Sequence, residues 1–170
     1  MVTYKEKPML WRHNGGRDFK RTYENVSAQS GPVFQTPYAG RGLAIGDFNN
    51  DGGIDVLLIP NDGAPVVLRN NVGKRNHWLG VRLIGKTCNP DAVGAVVTWQ
   101  AGDLKRSQMK NAGGGYLSAH DPRMVLGIGP RTQMDWVEVK WPLPSGKVER
   151  LTGLPIDRYV TVQEGRGIIG

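Results

Sequence analysis

The chain has 170 residues, of which 39% are hydrophobic and 22% charged, with a formal net charge of +7 and a single cysteine, Cys88. That is enough chain for one domain or two small ones in tandem, and no run of about 18 apolar residues is present to span a membrane as a helix. The start MVTYKEKPMLWRHNGG lacks the apolar core of a signal peptide, and one cysteine excludes an internal disulfide framework.

In chain order, a piece around 17–26 follows the turn signal Asn14-Gly15-Gly16 and carries a strand near 22–26. Strands near 42–47, 54–59 and 65–69 come next, separated by Asn61-Asp62-Gly63 and similar turns. Together with the piece at 17–26 they supply roughly the four strands of one propeller blade. The polar, Gly-containing stretch Asn70-Asn71-Val72-Gly73-Lys74-Arg75-Asn76 marks a seam. Beyond it Leu79, Val81 and Leu83 alternate with Gly80 and Arg82, Val137, Val139 and Trp141 with Glu138 and Lys140, and Val160 and Val162 with Thr161 and Gln163. Period two is the signature of half-buried strands. Further strands are predicted near 93–100, 104–110 and 124–128, with turns at Ala101-Gly102-Asp103 and Pro144-Ser145-Gly146. No segment keeps a helical period over three turns, so the chain is all-β, and its short, evenly spaced strands suit a sandwich, barrel or propeller. The tail Arg166-Gly167-Ile168-Ile169-Gly170 is expected to fray.

The positive charge is scattered. Its densest groups are Arg17/Lys20/Arg21, Lys74/Arg75 and Lys105/Arg106/Lys110, with no interleaved aromatic and basic platform, which argues against specific nucleic-acid binding.

The stretch GDFNNDGGIDVLLIP, residues 46–60, sets three carboxylates within nine residues and runs directly into an apolar strand. Asp47, Asn49, Asp51 and Asp55 alternate as oxygen donors, Gly53 adds a backbone carbonyl, and Gly52 permits the turn that curls the loop. Carboxylates a few ångströms apart repel by roughly 1 to 4 kcal/mol per pair, which a divalent cation reverses. This pattern points to a structural Ca²⁺. It is not an EF-hand, because position 12 is Leu58 where that loop needs a bidentate Glu, and because strands rather than helices flank it. The competing reading is an Asx-rich turn whose aspartates accept backbone hydrogen bonds.

GRGLAIGDFNNDGGIDVLLIPNDGAPVVLRN resembles an FG-GAP or VCBS-type repeat, the calcium-binding blade of integrin-α-like propellers. NHWLGVRLIG, VGAVVTW, GGGYLSAHDPRMVLGIG and VEVKWPLPSGKVERL are similar to the ASPIC/UnbV domain, which follows such repeats. The resemblance implies an FG-GAP-like blade with its lead-in over 1–73, a small sandwich- or barrel-like ASPIC/UnbV domain over 74–165, and a tail over 166–170. It implies an extracellular or periplasmic, calcium-stabilised module for adhesion or for binding a protein or glycan, with no catalytic residue carried over. The calcium role falls on Asp47, Asn49, Asp51, Gly53 and Asp55. This chain departs from the family in having one blade, no export signal and an inserted Leu143-Pro144. A lone blade leaves two faces to cover, so either the chain is the C-terminal piece of a longer propeller or its strands merge with the following ones into one β domain, the favoured expectation, with homo-oligomerisation through strand edges as a third outcome.

Ser118-Ala119-His120-Asp121 has the residue types of a hydrolase triad, but consecutive residues of an extended segment face opposite ways, and turn hydrogen bonding is the favoured reading. Trp78 and Trp136 lie on the register opposite their aliphatic neighbours and are expected to be exposed. With Tyr116 and His120 they form the candidate ligand-binding set, and they motivate the alternative function, a glycan-binding module or glycoside hydrolase.

Overall fold

The computed structural model describes residues 4–15, 22–72 and 75–170. The basic group Arg17, Lys20 and Arg21, together with Gly16 of the first turn and Gly73-Lys74 of the seam, lies outside the described residues.

All-β architecture follows from the alternation, and no α-helix occurs among the described residues. β1 (Trp11–His13) and β2 (Tyr23–Asn25) form an exposed antiparallel pair. Two 3₁₀ turns, Ser27–Gln29 and Pro32–Gln35, lead to a three-stranded antiparallel meander of β3 (Gly40–Gly46), β4 (Asp55–Pro60) and β5 (Val66–Leu68). The expected fourth blade strand is not there. Tyr23–Asn25 pairs with β1, because the turns at 27–35, broken by Gly31 and Pro32, carry the chain away before β3 begins.

The strands after the seam are β6 (His77–Ile84), β7 (Val96–Ala101), β8 (Leu104–Met109), β9 (Met124–Gly129), β10 (Trp136–Lys140), β11 (Val148–Leu151), β12 (Tyr159–Gln163) and β13 (Gly167–Ile168). They form two four-stranded sheets, ordered β11-β10-β7-β8 and β13-β12-β6-β9. β6 and β12 run parallel and the other pairs antiparallel. Leu79, Val81, Leu126, Ile128, Val160 and Val162 of one sheet meet Val97, Trp99, Val137 and Val139 of the other, with Trp141 just beyond β10, in one buried cluster. The alternating residues named from the sequence are thus the inner faces of a two-layer sandwich. Both sheets keep free ends, so the layers do not close into a barrel.

Two expectations are corrected. The meander does not merge into the sandwich sheets but remains a separate sheet seated against them. The tail does not fray: Gly165 and Gly167 adopt φ of 76° and 70°, turning the chain so that β13 pairs with β12, and Ile169 N–H continues the pairing to the Thr161 carbonyl at 2.9 Å.

Candidate functional site

The acidic loop bridges β3 and β4. Asn50 and Gly52 adopt φ of 58° and 82°, and this left-handed turn brings successive backbone N–H groups onto the aspartates. Asp47 is 1% exposed; its Oδ1 accepts from Asp51 N–H at 3.0 Å and its Oδ2 from Gly52 N–H at 2.8 Å and the Tyr159 hydroxyl at 2.7 Å. Asp55, 2% exposed, accepts from Phe48 N–H at 3.2 Å and Asn70 N–H at 2.7 Å, tying the loop to the end of the meander. Asp51 accepts from Gly53 N–H at 3.0 Å and from the Asn49 amide at 2.8 Å, with Arg69 at 3.8 Å. The five expected metal donors, Asp47, Asn49, Asp51, Gly53 and Asp55, therefore do sit in one loop, with Asn49 bonded to Asp51 and the carboxylates of Asp47 and Asp55 turned toward backbone donors. Among the described residues no three His, Cys, Asp or Glu side chains converge as a ready metal cage. The donor set is all oxygen, which suits a hard cation, and Asp47 Oδ1 and both Asp55 oxygens each accept a single described hydrogen bond, leaving a second lone pair.

What seats this loop on the sandwich escaped the sequence reading. Arg123, just before β9, sends Nε and Nη2 to the Asp121 carboxylate at 2.6–3.0 Å, Nη1 to Asn50 Oδ1 at 2.6 Å and Nη2 to the Asp47 carbonyl at 2.8 Å. Its guanidinium also lies 4.1 Å from the centre of the Tyr159 ring. Burial pushes the Asp121 carboxyl up, but the Arg123 hydrogen bonds and the charges of Arg123 and Lys110 outweigh it and hold it below the usual carboxylate range. Burial, reinforced by the hydrogen bond to the Asp47 carboxylate, pushes the Tyr159 hydroxyl far above its ordinary value, so it remains a donor.

Ser118-Ala119-His120-Asp121 has its own role. Ser118 Oγ accepts from Leu43 N–H at 3.1 Å, His120 Nδ1 from Ile45 N–H at 3.3 Å, and Asp121 N–H donates to the Ile45 carbonyl at 2.9 Å. Side chains two apart on an extended segment reach alternate N–H groups of β3 and cover that strand edge. The signal was in the sequence: polar acceptors at i and i+2, a spacing that suits an exposed edge better than a triad.

The remaining candidates separate. Trp78 is not exposed: it is 6% accessible, sealed between the loop and Tyr159, whose ring centre lies 5.0 Å away. A Cβ at Gly52 would fall 2.2 Å from Trp78 Nε1, so the glycine is what lets the loop lie on the indole. β6 is therefore buried on both faces from Trp78 to Val81, which strand alternation cannot reveal. Trp136 is half-buried, with Lys105 5.5 Å and Arg150 4.2 Å from its ring centre. Tyr116 is 67% exposed. His120 and Tyr116 belong to the same loop, while Trp136 lies on another sheet, so the four do not form one binding face.

Residues 85–169, from just after β6 through β13, match the family described as ASPIC and UnbV. Cartilage acidic protein 1 of Mus musculus is 32% identical over 117 residues, covering 66% of this chain and 18% of that protein. The family match begins downstream of the acidic loop, just after β6, and takes in the other seven of the eight sandwich strands. A match that covers half of the chain, on strands that build its core, identifies it as a member of the ASPIC and UnbV family.

Proposed function

We propose that this chain is a non-catalytic extracellular or periplasmic interaction module, with an FG-GAP-type blade unit over β3–β5 whose loop 47–55 takes a structural calcium ion. The observation that carries this reading is the run of five oxygen donors at alternate positions, Asp47, Asn49, Asp51, Gly53 and Asp55, around a glycine at φ 82°. When bound, the cation supplies charge neutralisation; the chain's own part is to hold the loop, through Asp55 on Asn70 N–H and Asp47 on Tyr159. A relative named for cartilage supports an extracellular setting.

Hydrogen exchange of the amides at 42–58, with and without calcium, tests the metal. At a hundredfold excess over the dissociation constant, calcium is expected to slow their exchange by about 2.7 kcal/mol of local stability. Asp51→Ala is expected to abolish the effect. Exchange identical in calcium and in EGTA for the wild type refutes the metal reading.

Carbohydrate recognition is the second reading, favoured by the 67% exposure of Tyr116. A glycan array and chromogenic glycosides separate a binding module from a hydrolase.

A further inference from the structure

A cavity of about 210 Å³ opens where the meander meets the sandwich. Ile45 and Ile54 wall it from the meander side, Met109 and Met124 from the sandwich side, and Lys110 and His120 also line it. Lys110 follows β8 and is only 7% exposed. Its ammonium donates one hydrogen bond, to the Pro122 carbonyl. An ammonium has three protons to place, and a buried charge without an ionic partner is costly. Among the described residues no carboxylate lies within ion-pair distance of it.

The acids of the lining already accept several hydrogen bonds each. Asp47 is taken by two backbone N–H groups and Tyr159, and Asp121 by the Arg123 guanidinium and backbone N–H. His120 accepts at Nδ1 from Ile45, which leaves its proton on Nε2, so the ring adds another donor. The Lys110 ammonium and His120 thus have donors to offer, while Asp47 Oδ1 keeps one lone pair and the Gln108 and Asn111 amides in the lining both donate and accept. The lining carries two cations, Lys110 and Arg123, and two carboxylates, Asp47 and Asp121, but a buried ammonium with one hydrogen bond and no ion pair among the described residues, beside aliphatic and thioether walls, calls for an anion carrying an apolar stem.

We propose that this cavity binds a small organic carboxylate, with the Lys110 ammonium as its counter-charge and its stem against Ile54 and Met109. Burial holds the Lys110 ammonium below its ordinary pKa while Asp91 and Asp121 pull the other way, consistent with a cation short of partners. The proposal does not rest on the calcium reading: Met109 and Lys110 lie outside the loop 47–55, to which Asp47 and Ile54 of the lining belong.

The test is a ¹H–¹⁵N NMR titration of the full chain with butyrate, with butyramide and inorganic phosphate as controls. Saturable shifts are expected at the amides of Ile45, Met109, Lys110 and His120. Affinity is expected to fall by roughly tenfold or more for butyramide and for Lys110→Met, the scale of one charge-assisted hydrogen bond. Phosphate is expected to bind weakly, having no stem. If Lys110→Met does not fold, Met109→Trp serves, since Met109 is 55% exposed at the rim and an indole there closes the mouth. Absence of saturable shifts with butyrate overturns the proposal, as does butyrate binding that is unchanged in these variants or matched by phosphate.

Discussion

Replacing Arg123 with methionine keeps an aliphatic stem over Tyr159 and removes every guanidinium contact. Five hydrogen bonds go: three to Asp121, one to Asn50 and one to the Asp47 carbonyl. The pair is mostly shielded, with side-chain exposures of 27% for Arg123 and 13% for Asp121. A hydrogen bond to a charged group contributes about 1.5–3 kcal/mol, and orphaning one member of a buried pair costs about 3–5 kcal/mol. These contributions share the same atoms and do not add, and partial exposure trims them, so about 3 kcal/mol is expected. For a chain of this size that is a drop in Tm of roughly 6–12 °C. Arg123→Lys is expected to recover under half of it, because an ammonium cannot make the bidentate contact. Arg12→Met is the control: Arg12 and Glu24 are 63% and 45% exposed, and breaking their pair is expected to cost about 0–1 kcal/mol. Urea and thermal unfolding measure all three. If Arg123→Met falls within about 0.5 kcal/mol of wild type, or matches the Arg12 control, the clamp between loop and sandwich is not what holds them together.

Gly80→Ala is expected to destabilise by about 2–3 kcal/mol or to prevent folding, because its Cβ would fall 2.1 Å from Tyr159 Cδ1 in the centre of a buried strand; wild-type stability in denaturant would refute that packing. Stability is expected to be flat above about pH 5 and to decline as pH falls below about 4. Asp121 and Glu164 have folded pKa values held below the carboxylate range, so their contribution is complete above the unfolded values and lost as pH drops through the folded ones. For Glu164 the nearby Ser145 hydroxyl acts first, burial opposes it, and Lys86, Cys88 and Thr87 N–H donate to Oε2. That hydroxyl makes no well-aligned bond to Oε1, which has no partner among the described residues. Glu164→Gln is expected to shrink the acid-side decline in a series of melts across pH.

Inner-face strands were legible because they obey a local rule. Leu79, Val81, Val137, Val139, Val160 and Val162 alternate with polar or small residues, and each is buried where the alternation placed it. What stayed hidden depends on partners far along the chain. Trp78 reads as exposed from its own strand, yet it is covered by a loop 26 positions earlier and by Tyr159, 81 positions later. The parallel pairing of β6 with β12 joins the two ends of the sandwich and leaves no periodic trace. Arg123 looked like one of many scattered cations, since neither Asp121 two residues on the other side of Pro122 nor Asn50 in the distant loop marks it as a hub. Of the candidate site, the oxygen pattern was legible; its orientation toward N–H donors was not, because an Asx turn and a metal loop use the same residues at the same spacing.

The negative charge of the loop has two means of relief in the structure, and they act on different bodies. Backbone N–H groups and the Tyr159 hydroxyl take up Asp47 and Asp55, while Arg123 grips the loop from the sandwich side. The main buried core cluster draws every member from residue 79 onward, so the sandwich does not need the loop for its own packing. If 47–55 holds the proposed cation, its loss is expected to leave the sandwich intact and loosen β3–β5 first, whereas losing Arg123 is expected to undo the seating of one sheet on the other. Calcium removal should therefore speed exchange at 42–58 and spare the β6 and β12 amides. A melting transition in which both regions respond equally to EGTA would mean that the two bodies are not separable in energy, contrary to the placement of the core.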